Sequence, residues 1–392
     1  MLNEPISAGP SAMQRKLHWA IISVATLATL FLFIGLVSGS VVTYSLIAAI
    51  VILCGGLVSQ RFSLSSHWHC AFLFCTVSHV AAVFLLVHLN TLGGSLGEHV
   101  DSTLFSQTGF WLCVIAAWLA AWLCVEHLSA IHTLSKATNL LLAVLIPLIF
   151  GIWILLLWEF VTRGAGVPQV LLPSPSAIGE RFSNSLPILY ADFKQTFLKA
   201  VLFGYAAGCL SGFLVAILID RSPFLQRGLL PIGNLVSALP IVGVAPIMVM
   251  WFGFDWQSKA AVVIVMTFFP MLVNTVAGLS AASNMQHDLM KTYAAGYWQS
   301  LIKMRLPEAL PFIFNALKIN STLALIGAIV AEFFGTPIVG MGFRISTEVG
   351  RMNVDMVWAE IAVAAMAGSL FYAVLALIER VVTFWHPSIR NR

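Results

Sequence analysis

The sequence predicts an all-α integral membrane protein, and three observations carry that expectation. Of 392 residues, 59% are hydrophobic and only 9% charged, against about 25% charged in a soluble domain. Mean hydropathy is +0.94. About ten apolar runs reach the ~20 residues that a helix rising about 1.5 Å per residue needs to cross a hydrocarbon core about 30 Å thick. They fall near 19–37, 41–59, 69–89, 110–127, 139–160, 197–219, 228–253, 260–280, 313–334 and 357–379.

The first run follows Arg15 and Lys16, is too long for a signal peptide and lacks a small-residue cleavage site, so it is expected to stay as an anchor. Residues 1–137 hold four runs, and the loop from about 90 to 109 has no Lys or Arg, as suits an external loop. Near Ser135 to Asn139 the texture changes to six runs with Pro-rich, Gly-rich and charged connections, which places a domain boundary there. In the external segment 167–197, Ser174 and Pro175 suit an N-cap and first helical position, giving a short surface helix over Ala177 to Phe182. A second helix start is expected at Asp192. The run 228–253 contains Pro231, Pro240 and Pro246, and each internal proline costs about 3 kcal/mol in a regular helix. Broken backbone is tolerated in lipid where protein or a water-filled cavity surrounds it, so this run belongs inside the bundle beside a pathway, unless it is an ordinary kinked helix.

Lys and Arg accumulate in short cytoplasmic loops. With Arg15 and Lys16 inside, an even count of crossings returns Arg390 and Arg392 to the same side, and the segment holding Lys291, Lys303 and Arg305 also falls inside. Both termini are expected in the cytoplasm. The net charge of +4 needs no nucleic acid to explain it. All six cysteines lie in or at the edges of apolar runs, where cysteine behaves as a small buried hydrophobe, and no disulfide framework is implied.

The insert 288–311, "DLMKTYAAGYWQSLIKMRLPEALP", is polar, basic and aromatic between two apolar runs. A helix from about Asp288 to Met304 fits its charges, with Asp288 at the N-terminal end and Lys303 and Arg305 at the C-terminal end. Leu289, Tyr293, Gly296 and Ser300 share one face, and Met290, Ala294, Trp298 and Leu301 the next. Such a surface suits docking; the competing reading is a solvated linker.

This stretch resembles the cytoplasmic EAA loop of binding-protein-dependent ABC import permeases, Glu-Ala-Ala-x3-Gly-x9-Ile-x-Leu-Pro. Asp288, Leu289 and Met290 stand at Glu-Ala-Ala, Ala294 at Gly, Met304 at Ile, and Leu306 and Pro307 at Leu-Pro, so the spacing is kept while only Leu-Pro is identical. The blocks "WEF" at 158–160, "LLPSPSAI" at 171–178, "LPIVGVAPIMVMWFG" at 239–253, "FFPMLVNTVAGL" at 268–279 and "GAIVAEFFG" at 327–335 are similar to the nitrate/sulfonate/taurine type, in that order. The resemblance covers about 140 to the C-terminus and leaves the first four runs as an accessory addition to a six-helix type I importer core, with the transmembrane domain proper about 192–380.

The resemblance implies a loop helix, within about 281–312, that inserts into a cytoplasmic ATPase, with Asp288, Lys291, Tyr293, Ala294, Trp298 and Gln299 as contacts and Leu306 and Pro307 setting the exit into the next span. It implies an external or periplasmic substrate-binding protein as a further partner and a second permease copy, since a symmetric ATPase pair needs two loops. The chain has no G-x-x-x-x-G-K-[ST] sequence, so it is expected to be a permease without enzymatic activity or cofactor of its own, ATP and Mg belonging to the partner. The cargo expected is a small organic nutrient of the pyrimidine, thiamine-precursor or riboflavin type, with sulfonate, nitrate or taurine as the alternative.

Polar side chains within spans are functional candidates by default. Here they are Asn274, Thr275, Asn320, Ser321, Thr322 and Glu332, with Pro240 and Pro246 in the broken run; helix-to-helix hydrogen bonding would explain the polar ones equally. Two rival classes fit the residues less well. Metal binding would use His67, His69, Cys70, Cys75 and His79, or Glu126, His127 and His132, but neither H-E-x-x-H nor paired C-x-x-C is present. An ion-coupled transporter would place carboxylates near mid-membrane, whereas Glu159, Asp220, Glu332 and Glu379 stand toward run ends.

Overall fold

A computed structural model describes residues 67–91, 104–131, 135–237, 240–335 and 338–385. The runs 19–37 and 41–59 lie outside the described residues. All regular structure among those residues is helical: α1 His67–Thr91, α2 Leu104–Ser129, α3 Lys136–Gly164, α4 Pro175–Asn184, α5 Leu186–Phe193, α6 Leu202–Arg221, α7 Pro223–Ser237, α8 Ile241–Phe252, α9 Trp256–Leu279, α10 Asn284–Thr292, α11 Tyr297–Ser300, α12 Leu306–Glu332, α13 Met341–Gly350 and α14 Val354–Val382. Two wide i→i+5 turns, Lys194–Val201 and Leu301–Arg305, join α5 to α6 and α11 to α12 without a break. Seven stretches among the described residues are long and apolar enough to cross a membrane: Cys70–Val87, Phe110–Ser129, Lys136–Gly164, Leu186–Arg221, Trp256–Leu279, Tyr297–Glu332 and Val354–Val382.

The chain forms two compact units, Met1–Ala177 and Ile178–Arg392. In the first, α3 packs with α1 and α2 around Phe74, Leu85, Phe110, Leu123 and Phe160. Glu159, buried near the end of α3, accepts hydrogen bonds from the Ser176 amide at 2.9 Å and the Ser176 hydroxyl at 2.6 Å, and pairs with Arg163 at 3.2 Å. Ser174 Oγ accepts from the Ala177 amide at 3.4 Å, the N-cap expected for α4.

In the second unit α6, α9 and α12 make the central contact. Gly204, Gly208 and Gly212 recur every fourth residue on α6 and let the α9 backbone approach: a Cβ on Gly204 would stand 2.8 Å from the Ala260 carbonyl oxygen, and one on Gly212 would stand 2.5 Å from that of Phe268. Small-xxx-small spacing is how membrane helices gain close packing when lipid offers no hydrophobic drive.

Three expectations are corrected. The run 228–253 is not one span: Pro240, at φ −69° and an extended ψ of 119°, stands between α7 and the 12-residue α8, and proline lacks the N–H a continuing helix needs. No helix starts at Asp192, which lies near the end of α5, inside the continuous run that begins at Leu186. Its carboxylate is used on a distant helix, as described below. The helix expected from Asp288 to Met304 is instead broken at residues 293–296.

Candidate functional site

The polar insert folds as a helix, a tight turn and a second helical stretch. Ser283 caps α10, its hydroxyl accepting from the Gln286 amide at 3.3 Å while Gln286 Oε1 accepts from the Ser283 amide at 2.7 Å. The helix ends where Ala294 takes φ +50°, and the Ala295 amide reaches back to the Met290 carbonyl at 3.0 Å. That left-handed turn is the conformation glycine adopts without cost, and Ala294 occupies the glycine position of the EAA pattern. Gln299 Oε1 then accepts from the Gly296 amide at 3.1 Å and opens α11.

The insert presents a row of apolar and aromatic side chains outward. Tyr293 is 76% exposed and Trp298 55%, with Met285, Leu289 and Ile302 beside them in exposure; Leu301 is buried. Asp288 and Lys291 are exposed and pair at 3.1 Å. Leu306 packs on the core, and Pro307 sits in the first turn of α12. The structure thus places Asp288, Lys291, Tyr293, Ala294, Trp298 and Gln299 on the surface and Leu306 and Pro307 at the base.

That base is clamped. Arg305 donates to both carboxylate oxygens of Asp220, at 2.8 and 2.5 Å, and to the Leu279 carbonyl at 3.0 and 2.9 Å. Tyr297 donates to Asp220 at 2.9 Å, and Arg221 lies over the Tyr297 and Trp298 rings at 5.7 and 6.0 Å. The insert is therefore tied to the C-terminal ends of α6 and α9.

A second joint lies at the other end of α12. The first amides of α13 meet three buried acceptors in succession: Gly340 N–H to Asp192 at 2.6 Å, Met341 N–H to Thr196 at 2.8 Å and Gly342 N–H to Glu332 at 2.7 Å. Thr196 donates its own hydroxyl proton to Glu332 at 2.7 Å, and Arg344 pairs with Asp192 at 2.8 Å. Burial works against the Arg344 charge, but Asp192, with Glu360 and Glu348 behind it, holds its guanidinium above the ordinary range. Lys259 Nζ donates to the carbonyls of Phe254, at 2.6 Å, and Gly335, tying the α8–α9 connection to the chain just after α12.

The remaining candidates are dispersed. Asn320 is buried at the meeting of three helices, donating to the Thr267 carbonyl at 2.8 Å and lying 3.3 Å from Cys209 Sγ. Asn274 donates to Pro270 O at 2.8 Å and Ser321 to Lys318 O at 2.7 Å, both within their own helices. Thr275 is buried, while Thr322, Pro240 and Pro246 are exposed.

With this geometry in view, comparison with known proteins is decisive. The family described as "Binding-protein-dependent transport system inner membrane component" matches residues 204–391. A formylaminopyrimidine transport permease protein, ThiX, of Halalkalibacterium halodurans is 30% identical over 239 residues, 61% of this chain and 95% of that protein. The chain belongs to this family. A riboflavin transport system permease protein, RibX, of Chloroflexus aurantiacus is 29% identical over 60% of this chain and 88% of its own length. A taurine transport system permease protein, TauC, of Escherichia coli is 26% identical over 60% of this chain and 88% of its own length.

The protein is thus a multi-pass inner-membrane permease subunit of an ABC importer, not itself catalytic, and works with an ATPase and a substrate-binding protein. Several residues that build the site were missed in the sequence. Asp192, Thr196, Lys259 and the Asp220–Arg305 pair join elements far apart in the chain, and nothing local marks them. The Gly204-Gly208-Gly212 spacing was there to be read.

Proposed function

We propose that residues 281–312 are the handle by which a separate ATPase drives this permease, and that the cargo is a small organic nutrient of the pyrimidine, thiamine-precursor or flavin type. The observation that carries the first part is an outward row of Leu289, Tyr293, Trp298 and Ile302 on a segment whose base is clamped to α6 and α9 through Asp220 and Arg305. Exposed aromatic anchors on a rigid base suit burial in a partner's groove. Two copies of the chain would present two such handles to a symmetric pair of ATPases. ATP and Mg act on those partners, and this chain carries no cofactor. Both termini, on this reading, face the cytoplasm.

The cargo reading rests on the formylaminopyrimidine and riboflavin permeases, which align over 95% and 88% of their own lengths. The sulfonate or taurine alternative rests on relatives 27% and 26% identical. Residues 138–392 would form the transport core and 1–137 an accessory region. Thr322, Pro240 and Pro246 expose side chains to a passage, while Asn320, Ser321, Asn274 and Glu332 hold helices together.

Uptake of labelled formylaminopyrimidine, riboflavin and taurine into cells expressing the chain with its ATPase and binding protein tests the cargo. Uptake of the heterocycles, abolished when ATPase activity is blocked, is expected. Uptake of taurine alone would favour the alternative. Purification of the native complex should yield two copies of the chain with two ATPase subunits.

A further inference from the structure

We propose that the first unit carries a binding site for a small organic ammonium group, in a cavity between α2 and α3. The cavity, ≈ 270 Å³, is walled by Trp118, Trp122, Trp153 and Phe150, with Glu126 and Ser129 at one end. Trp118 and Trp122 stand edge to face with ring centroids 5.8 Å apart, and Trp153 is 2% exposed. Indole faces attract a cation through their quadrupole, and an alkylated ammonium, weakly hydrated, gives up little on leaving water. The volume is below the about 300–1,000 Å³ of drug-sized pockets, which suits a single headgroup-sized ion.

Glu126 lines this cavity, and its Oε2 is buried without a hydrogen-bond partner among the described residues. Glu126 falls within the apolar stretch Phe110–Ser129, where a carboxylate is costly. A carboxylate kept to hold helices together is engaged by donors, as Glu159 of the same unit is by Ser176 and Arg163. Glu126 is not so engaged. An ammonium seated against the Trp118 and Trp122 indoles, beside Glu126, supplies the missing counter-charge. The same chemistry is offered by a soluble quaternary amine and by a choline-type lipid headgroup.

The full-length protein in nanodiscs of phosphatidylglycerol alone, titrated with choline, tests this. Saturable binding near one per chain is expected, with its neutral analogue, carbon replacing the quaternary nitrogen, at least about tenfold weaker. Glu126→Gln, close to isosteric, should weaken choline by about tenfold, and Trp122→Leu, at the exposed side of the cavity, by several-fold, with thermal unfolding unchanged in both. If phosphatidylcholine nanodiscs abolish choline binding, the natural occupant is a headgroup. If binding is the same in both lipids, it is a soluble cation. No saturable binding in phosphatidylglycerol, equal binding of the neutral analogue, or unchanged affinity in both folded variants would overturn the site.

Discussion

Arg305 and Asp220, 85 residues apart in the chain, form a two-pronged ion pair at 2.8 and 2.5 Å in which each side chain is mostly buried. Removing one partner strands the other, a loss on the order of 3 kcal/mol where a pair is shielded from water. Arg305→Ala should lower the unfolding temperature and reduce ATP-driven uptake more than binding-protein docking. Arg305→Lys should restore only part, because an ammonium cannot bridge both carboxylate oxygens and still hold Leu279 O. Uptake and melting curves of the two variants, measured together, check this.

Ala294 pays for a left-handed backbone at φ +50° that glycine would adopt freely. Ala294→Gly is expected to raise stability by about 1 kcal/mol with transport intact. Ala294→Glu, which adds bulk and charge on the exposed face, should uncouple uptake while membrane insertion persists. Trp298→Ala should do the same by removing an anchor. Denaturation in detergent and uptake in vesicles separate the two kinds of effect.

The joint at α13 forbids a side chain at Gly340, whose φ is +149° and whose Cβ would stand 2.7–2.9 Å from the Glu332 carboxyl group. Gly340→Ala should cost at least about 3 kcal/mol and reduce the yield of folded protein. Glu332→Ala leaves the Gly342 amide and the Thr196 hydroxyl without their acceptor, about 1–3 kcal/mol for each buried donor. Thermal unfolding of the purified variants reads both.

At the α6–α9 contact, a Cβ on Gly208 would overlap Thr267 Oγ1 and come within 2.8 Å of the Ile264 carbonyl oxygen. Gly208→Ala should be strongly destabilising. Adding Thr267→Ala should recover only part, since the backbone clash remains; full recovery in the double variant would mean that the helices separate at little cost.

What could be read from the chain was whatever depends on local composition. Apolar length marked the described spans, Ser174 and Pro175 marked the start of α4, and the spacing from Ala294 to Pro307 marked the insert. The proline run suggests broken backbone, and Pro240 does divide it into α7 and α8; the error lay in counting 228–253 as a single crossing. The Asp288–Met304 helix failed because charge placement at the two ends does not reveal a left-handed residue between them. Glu332 was picked out for being polar in an apolar run, but its work as the acceptor for Gly342 and Thr196 depends on residues from elsewhere in the chain. Asp192 misled for the same reason, its side chain being committed to Gly340 and Arg344, more than a hundred residues on.

The most direct test of the handle places a photo-crosslinking amino acid at Tyr293, with an equivalent probe at Leu210 on the membrane-embedded face of α6 as control, in cells that co-express the partner ATPase. Illumination should join the Tyr293 probe to the ATPase and leave the Leu210 probe unjoined. Labelling of position 293 by an impermeant reagent from outside the cell, with no crosslink to the ATPase, would contradict it.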